Sequence, residues 1–411
     1  MRAVGVATIL LSLIIAGCVS PGSSVSTSST DPLALPQLPA FGGIVKVGEF
    51  GNEPVIRVGP EGTIYVAALQ HLYISKDHGA TFKEAEFRAP VAVPIYASDS
   101  ALAVAPDGRV YISFDWPYAG STSVCTSGDQ GSTWSCDFAA VPGVTDRMWM
   151  VAPTAKDAYV ITGEQLDRPT FAVTHDAGAT WTITANDWTN EVQGEDLNWD
   201  PVLEVIVEAA SDPNGPGWGI RTFTPDGAYK GFQPIDLSVP AGQPNLAVDA
   251  NGTWWAGACT AKDCASPALA ESHDAGKSWA LHPLAMFGRT MIMPYVAAGA
   301  AGHVAMGWYE ANASSADAPE AEWHFVVART ADGSHFESTL LTAMPVHVGP
   351  LCRAVTCLGD NRFAGDFVGL AFDAKGDLHA TWMRQDKPKD LPTSQLNPSG
   401  SYEHVEYART S

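Results

Sequence analysis

Basic residues are scarce in this chain. Its 411 residues include 23 Lys and Arg against 45 Asp and Glu, a formal charge of −22. That balance excludes nucleic acid as a partner and excludes docking on anionic lipid through charge, because both need a cationic surface. Long apolar runs are missing too: Val4 to Ala16 is too short to cross a bilayer comfortably. Cysteine is limited to seven residues, none in the CxxC…CxxC spacing of a zinc site, so neither metal nor cofactor is expected. Asp360, Asn361 and Asp366 offer oxygen ligands for calcium, but three oxygens in one loop are a weak signal. What the chain does have is 46% hydrophobic residues and 13 Trp, ample for a large core.

The N-terminus reads as a targeting segment. Arg2 supplies the positive start, and the apolar run ends in Ile15-Ala16-Gly17-Cys18. These residues resemble a prokaryotic lipobox, which implies cleavage before Cys18 and lipidation of that cysteine. An ordinary secretory signal with an accidental cysteine is the alternative. Residues 1–18 are then the signal, 19–40 a disordered Ser/Thr/Pro tether, and 41–411 a single domain. The expected location is the cell surface, with the membrane as partner through Cys18.

The other six cysteines fall as sequence neighbours: Cys125 with Cys136, Cys259 with Cys264, and Cys352 with Cys357. Three local disulfides fit an oxidising compartment. A hairpin centred between Gln130 and Gly131 would set Cys125 opposite Cys136, close enough for a bridge.

One short pattern recurs along the chain. Thr174-His-Asp-Ala-Gly-Ala-Thr-Trp181 and Ser272-His-Asp-Ala-Gly-Lys-Ser-Trp279 are nearly identical. Ser75-Lys-Asp-His-Gly-Ala-Thr-Phe82 and Ser127-Gly-Asp-Gln-Gly-Ser-Thr-Trp134 follow it more loosely. Thr224 to Tyr229 and Thr330 to Phe336 look like shortened copies. The pattern resembles the Asp-box of sialidase-type (BNR) β-propellers, and the resemblance covers most of the chain beyond the tether. Each part has a structural use. The Asp accepts backbone N–H groups within its own turn, Gly supplies an angle that other residues resist, and the aromatic packs the turn on its neighbours. Asp77, Asp129, Asp176 and Asp274 are therefore read as turn staples and not as site residues.

A second repeat precedes each box: an apolar strand, a Gly turn, and another apolar strand. Copies surround Gly62, Gly108, Gly252 and Gly376, with a looser one around Gly302. Two degenerate copies are placed at Trp149–Thr162 and Trp199–Ala210. The box glycines at 79, 131, 178, 227, 276 and 333 step by 47 to 57 residues. Seven first hairpins against six boxes leave the last unit one strand short. Phe41 to Phe50 has strand composition and no partner of its own, so it is predicted to complete that unit. The expectation is all-β: a seven-bladed β-propeller of four-stranded antiparallel blades, closed by an N-terminal strand, with almost no helix.

In such blades the first-hairpin turns and the boxes share one face. The loops after the second strand and between blades share the other, where propeller ligands usually bind over the central channel. Polar residues expected there are Glu53, Asp99, Asp115, Asp146, Arg147, Glu164, Arg168, Asp200, Glu310, Arg362, Asp366 and Arg384. Asp146-Arg147 and Asp360 to Asp366 resemble segments of bacterial and archaeal sialidase-like propellers. Each sets an Arg beside a carboxylate, which could grip a carboxylate or sugar, or simply close the channel mouth as an ion pair. The candidate ligand-binding residues are Asp146, Arg147, Glu164, Glu310, Arg362, Asp366 and Arg384.

The sialidase resemblance implies three Arg on a substrate carboxylate, a Tyr nucleophile with its Glu, and an Asp acid/base. This chain lacks the Phe/Tyr-Arg-Ile-Pro motif of that family; Pro54-Val-Ile-Arg57 is the nearest relic. Tyr309-Glu310 is tempting, but adjacent strand residues face opposite sides. The leading expectation is a propeller that binds a glycan or protein ligand. A sialidase-like glycoside hydrolase acting on extracellular carbohydrate is the alternative.

Overall fold

The structure is a computed structural model. It describes residues 38–48, 51–69, 71–86, 99–116, 121–142, 148–162, 170–184, 194–212, 217–238, 245–260, 266–351, 368–386 and 402–411. From Leu38 to Ser411 the chain forms one compact unit. Cys18 and the tether as far as 37 lie outside the described residues, as do Cys264, Cys352, Cys357, Asp360 and Asn361.

Seven antiparallel sheets follow one another along the chain, and no helix occurs among the described residues. The first blade runs Pro54–Val58, Ile64–Ala68, His71–Ser75 and Lys83–Glu84, from the inside outward. The inner strands of the next five are Ser100–Val104, Met148–Val151, Gly194–Asp200, Leu246–Val248 and Thr290–Ala298. In the seventh blade, Gly369–Phe372, Leu378–Asp386 and Tyr402–Arg409 take their fourth strand from Val45–Lys46. The register sets Val45 opposite Tyr407 and Lys46 opposite Glu406. Gly42 N donates to Arg409 O at 2.8 Å and Val47 N to Val405 O at 2.9 Å, so the closing segment stays paired well beyond its formal strand. Each inner strand packs on those of the two adjoining blades, and Pro54–Val58 packs on Gly369–Phe372, which closes the ring.

Side-chain size follows the wedge that a blade must make. Inner strands carry small residues such as Ala101, Ala103, Ala247 and Ala371, where seven strands converge. Farther out, Trp255, Trp308, Trp382, Tyr111, Tyr159 and Phe171 are fully buried between sheets. Cys125 and Cys136 are cross-strand partners, with Cα atoms 4.0 Å apart, and form the expected disulfide. Cys259 is also disulfide-bonded.

The recurrent turns share one hydrogen-bond pattern. In the first, Ser75 Oγ donates to Asp77 Oδ1 at 2.7 Å and accepts from Gly79 N at 2.8 Å. Asp77 also accepts from Thr81 N at 2.9 Å and Thr81 Oγ1 at 2.6 Å. The turns at Asp129, Asp176 and Asp274 repeat this set. Their glycines are left-handed, as is the residue before each: His78, Gln130, Ala177 and Ala275.

Those glycines do more than turn the chain. A Cβ on Gly131 would lie 2.3 Å from Ile74 Cδ1 of the preceding blade, and one on Gly178 would lie 2.5 Å from Thr126 Cγ2. Gly79 meets Tyr407 of the seventh blade at 2.4 Å. The closing aromatic of the turn leans the same way. Phe82 packs edge-on against Tyr407 at 5.2 Å, and Trp181 against Tyr111 at 6.5 Å. Each turn thus fastens its blade to the one before it.

Two stability predictions follow from these turns. Gly131→Ala forces a left-handed alanine into Ile74 and should cost about 1–3 kcal/mol, read as a lower midpoint in urea unfolding. Hydroxyl and backbone donors hold Asp77, Asp129, Asp176 and Asp274 at about 2, below the ordinary 3.8. Their stabilising contribution is complete above pH 3.8 and lost as the pH falls through about 2. Thermal midpoints measured against pH should show that acid limb, and Asp176→Asn should make it shallower while lowering the midpoint at neutral pH.

Candidate functional site

The seven inner strands surround a cavity of about 220 Å³ in the central channel. Its wall uses the later part of most of these strands, the part leading toward the first-hairpin turns: Val58, Val104, Val151, Ala247, Ala298 and Phe372 among others. Most of the wall is apolar and small. Arg57, Asp196, Asn198 and Tyr295 are the polar exceptions.

Backbone irregularities bring two of these together. The strand Gly194–Asp200 carries a bulge between Glu195 and Leu197, with Asp196 at φ +62°. The strand Thr290–Ala298 carries one between Ile292 and Tyr295, with Met293 at φ +53°. A bulge breaks the strict in–out alternation of a strand and re-aims the side chain beside it, often next to a functional site. A left-handed aspartate inside a strand is strained, and the surrounding packing must hold it there.

The cluster spans the channel. Tyr295 Oη donates to Asp196 Oδ2 at 3.1 Å. Asp196 Oδ1 accepts from Leu197 N at 3.0 Å and faces Arg57 Nη2 at 4.0 Å. Arg57 Nη1 donates to Ile56 O at 2.9 Å, and Asn198 Nδ2 to Leu246 O at 2.8 Å. Asp196 is buried, and burial pushes its carboxyl up to about 6, against the pull of Arg57 and the Tyr295 hydroxyl. Burial, with the Asp196 charge adding to it, pushes the Tyr295 hydroxyl far above its ordinary value. Tyr295 is therefore protonated at neutral pH and donates to Asp196.

Behind Asp196, on the next two strands of the same blade, Glu208 Oε2 meets Arg221 Nε at 2.9 Å. This pair is almost wholly enclosed. Burial raises Glu208; Arg221 opposes that rise, and the Asp196 charge adds to it.

The residues expected from the sequence fare differently. Asp146, Arg147, Glu164, Arg168, Arg362 and Asp366 lie outside the described residues, as does the side chain of Asp115. Glu310 is buried, and its carboxylate is committed: it accepts from Phe287 N at 2.6 Å, Gly288 N, and Trp308 Nε1 at 2.9 Å. It anchors the loop entering the sixth blade. Tyr309 points elsewhere, accepting from Met383 N at 2.7 Å. Arg384 lies 3.8 Å from Glu406, whose other oxygen accepts from Trp382 Nε1 at 2.8 Å. Glu53 and Asp99 are buried just before the first strands of their blades.

Asp200 corrects its expected face. It ends its inner strand at the first-hairpin turn, on the side of the repeated turns. There it accepts from Val202 N and Leu203 N at 2.9 Å each and from Trp254 Nε1 at 2.7 Å. The hairpin turns between Asp200 and Val205, earlier than the expected Trp199–Ala210 hairpin, so Asp196 falls inside its first strand. The available signal was a strand with three acids, Gly194-Glu-Asp-Leu-Asn-Trp-Asp200, where Arg57 is the one charged residue of the other described inner strands. No cluster of His, Cys, Asp and Glu suited to a metal ion occurs among the described residues.

No described protein family matches the chain, and no curated protein does. Solved structures do share its fold. YCF48 bound to a D1 peptide superposes with a TM-score of 0.52 at 12% identity, covering 91% of this chain and 97% of that one. Hydrazine synthase from Kuenenia stuttgartiensis gives 0.52 at 11%, covering 82% and 94%. The phage phi92 endosialidase gives 0.50 at 11%, covering 90% and 69%. At these identities the likeness concerns architecture alone.

Asp196 sets a pH dependence of the opposite sign to that of the turn aspartates. Its folded value is raised from 3.8 to about 6, so its contribution is fully present below pH 3.8 and is lost as the pH rises through about 6. The thermal midpoint should therefore decline across that window, and Asp196→Asn should flatten the decline. An unchanged slope in the variant would mean that the carboxyl titrates normally.

Proposed function

We propose that this protein is a lipid-anchored, extracytoplasmic Asp-box propeller that binds a glycan or protein ligand at its channel mouth. The observation that carries the reading is that the channel holds one arginine, and not three, among the described residues. A sialidase needs all three around a substrate carboxylate. Here Arg57 is the one cation lining the cavity among the described residues, and Tyr295 donates to Asp196. That arrangement serves recognition better than turnover.

Cys18 behind Ile15-Ala16-Gly17 supports the anchor, with the Ser/Thr/Pro segment to residue 40 as its tether. The Cys125–Cys136 disulfide supports an oxidising compartment. Asp146, Arg147, Glu164, Arg362 and Asp366 are the candidate contacts on the loops opposite the boxes. Sialidase-like hydrolysis is the second reading, favoured by the Tyr295–Asp196 hydrogen bond beside Arg57.

Glycan arrays probed with the chain from Leu38 onward, together with a fluorogenic sialoside assay, separate the two. Binding without turnover is expected, weakened tenfold or more, about 1.4 kcal/mol, by Arg147→Ala or Arg362→Ala. Sialoside turnover abolished by Arg57→Ala would overturn the binding reading. Metabolic labelling with palmitate should mark the full chain and be lost in Cys18→Ala.

A further inference from the structure

The channel cluster is unusual in what it leaves open. A guanidinium carries five N–H donors. Arg57 gives one to Ile56 O at 2.9 Å, reaches Asp196 only at 4.0 Å, and keeps a quarter of its side chain exposed. Arg57 also interacts with the Tyr295 hydroxyl, and it lines a cavity whose other walls are Val58, Ala103, Val104, Met150, Val296 and similar side chains. Such walls offer nothing to the hydroxyls of a sugar. At about 220 Å³ the space also falls below the volume that takes a drug-sized molecule.

We infer that the channel interior is a proton-coupled site for a small, apolar-bodied organic anion, gripped by Arg57, with Asp196 taking up the proton that makes room for its charge. This rests on the reading of the channel as a ligand site and names what its inner wall accepts. With Asp196 ionised, Arg57 is already neutralised, and a second anion must compete for it. With Asp196 protonated, Arg57 is uncompensated and the cavity carries one positive charge. Tyr295 and Asn198 hold the Asp196 side chain when it is ionised.

Among the described residues Glu208 is the other carboxyl coupled to Asp196, and burial raises it to about 7, so the Asp196→Asn variant is what separates the two. Glu208 is paired with Arg221 at 2.9 Å behind it. The adjoining inner strands, Met148–Val151 and Leu246–Val248, bring no titratable side chain. Burial raises the Asp196 carboxyl to about 6, so it takes up a proton in a mildly acidic medium. Anion binding and proton uptake then favour each other by linkage, and the affinity rises as the medium becomes mildly acidic.

Benzoate is the probe, with benzamide as its neutral counterpart, titrated calorimetrically into the full chain. Where one proton is taken up, affinity changes up to tenfold per pH unit, so benzoate should bind at least about tenfold more tightly near pH 5.5 than near pH 7.5. Benzamide should bind weakly at both. Asp196→Asn should keep the acid-side affinity at both pH values, and Arg57→Met should lose benzoate at both.

Equal benzoate affinity at the two pH values, no binding at either, or benzamide matching benzoate would overturn the inference. So would a pH dependence that survives in Asp196→Asn. The wild-type and benzamide titrations decide it even if a variant fails to fold. A positive glycan array with no benzoate binding would sink this inference alone. Benzoate binding with a blank array would sink the choice of ligand at the mouth instead.

Discussion

Everything in this ring depends on how closely one sheet can approach the next at its rim. Gly79, Gly131 and Gly178 each occupy space that a single methyl group would fill with a clash against the preceding blade. Their Asp and Ser or Thr partners hold the left-handed turn that allows the approach. The turn's hydrogen bonds are local, but their effect is between blades. This explains why the same letters recur: the contact they make recurs, while the strands between them need only alternate and taper.

The inner end of each blade obeys a different constraint. Seven strands converge there, so small side chains are needed and charge is expensive. Three strands break that rule, bringing Arg57, Asp196 and Tyr295, and the last two carry bulges. Local disorder of the ladder and polar chemistry coincide, as they do where a sheet departs from ideality for a purpose. The strain at Asp196 is held by the ring around it, with Arg57 and Tyr295 reaching across from other blades.

Much of the architecture was legible because it repeats. Glycine spacing gave the blade count, and the missing seventh box pointed to the segment after the tether as the closing strand, which pairs at Val45 and Tyr407. The Cys125–Cys136 bridge followed from hairpin arithmetic. The channel cluster was harder to see. Asp196 and Tyr295 are 99 residues apart and belong to no shared motif. A bulge shifts one side chain without leaving a letter in the sequence. Glu310 shows the converse: a carboxylate at a blade end looks functional until its partners, two backbone N–H groups and an indole, are seen. Sequence tells which residues are polar; only the fold tells whether their bonds are already made.

The pairing of Val45–Lys46 with Tyr402–Arg409 joins the beginning of the domain to its end. The residues that leave the ribosome early therefore find their partner only after the last ones have emerged. Until then the seventh blade has an open flank, and no truncated product can complete the circle. Such an order delays closure of the ring until the seventh blade has been made.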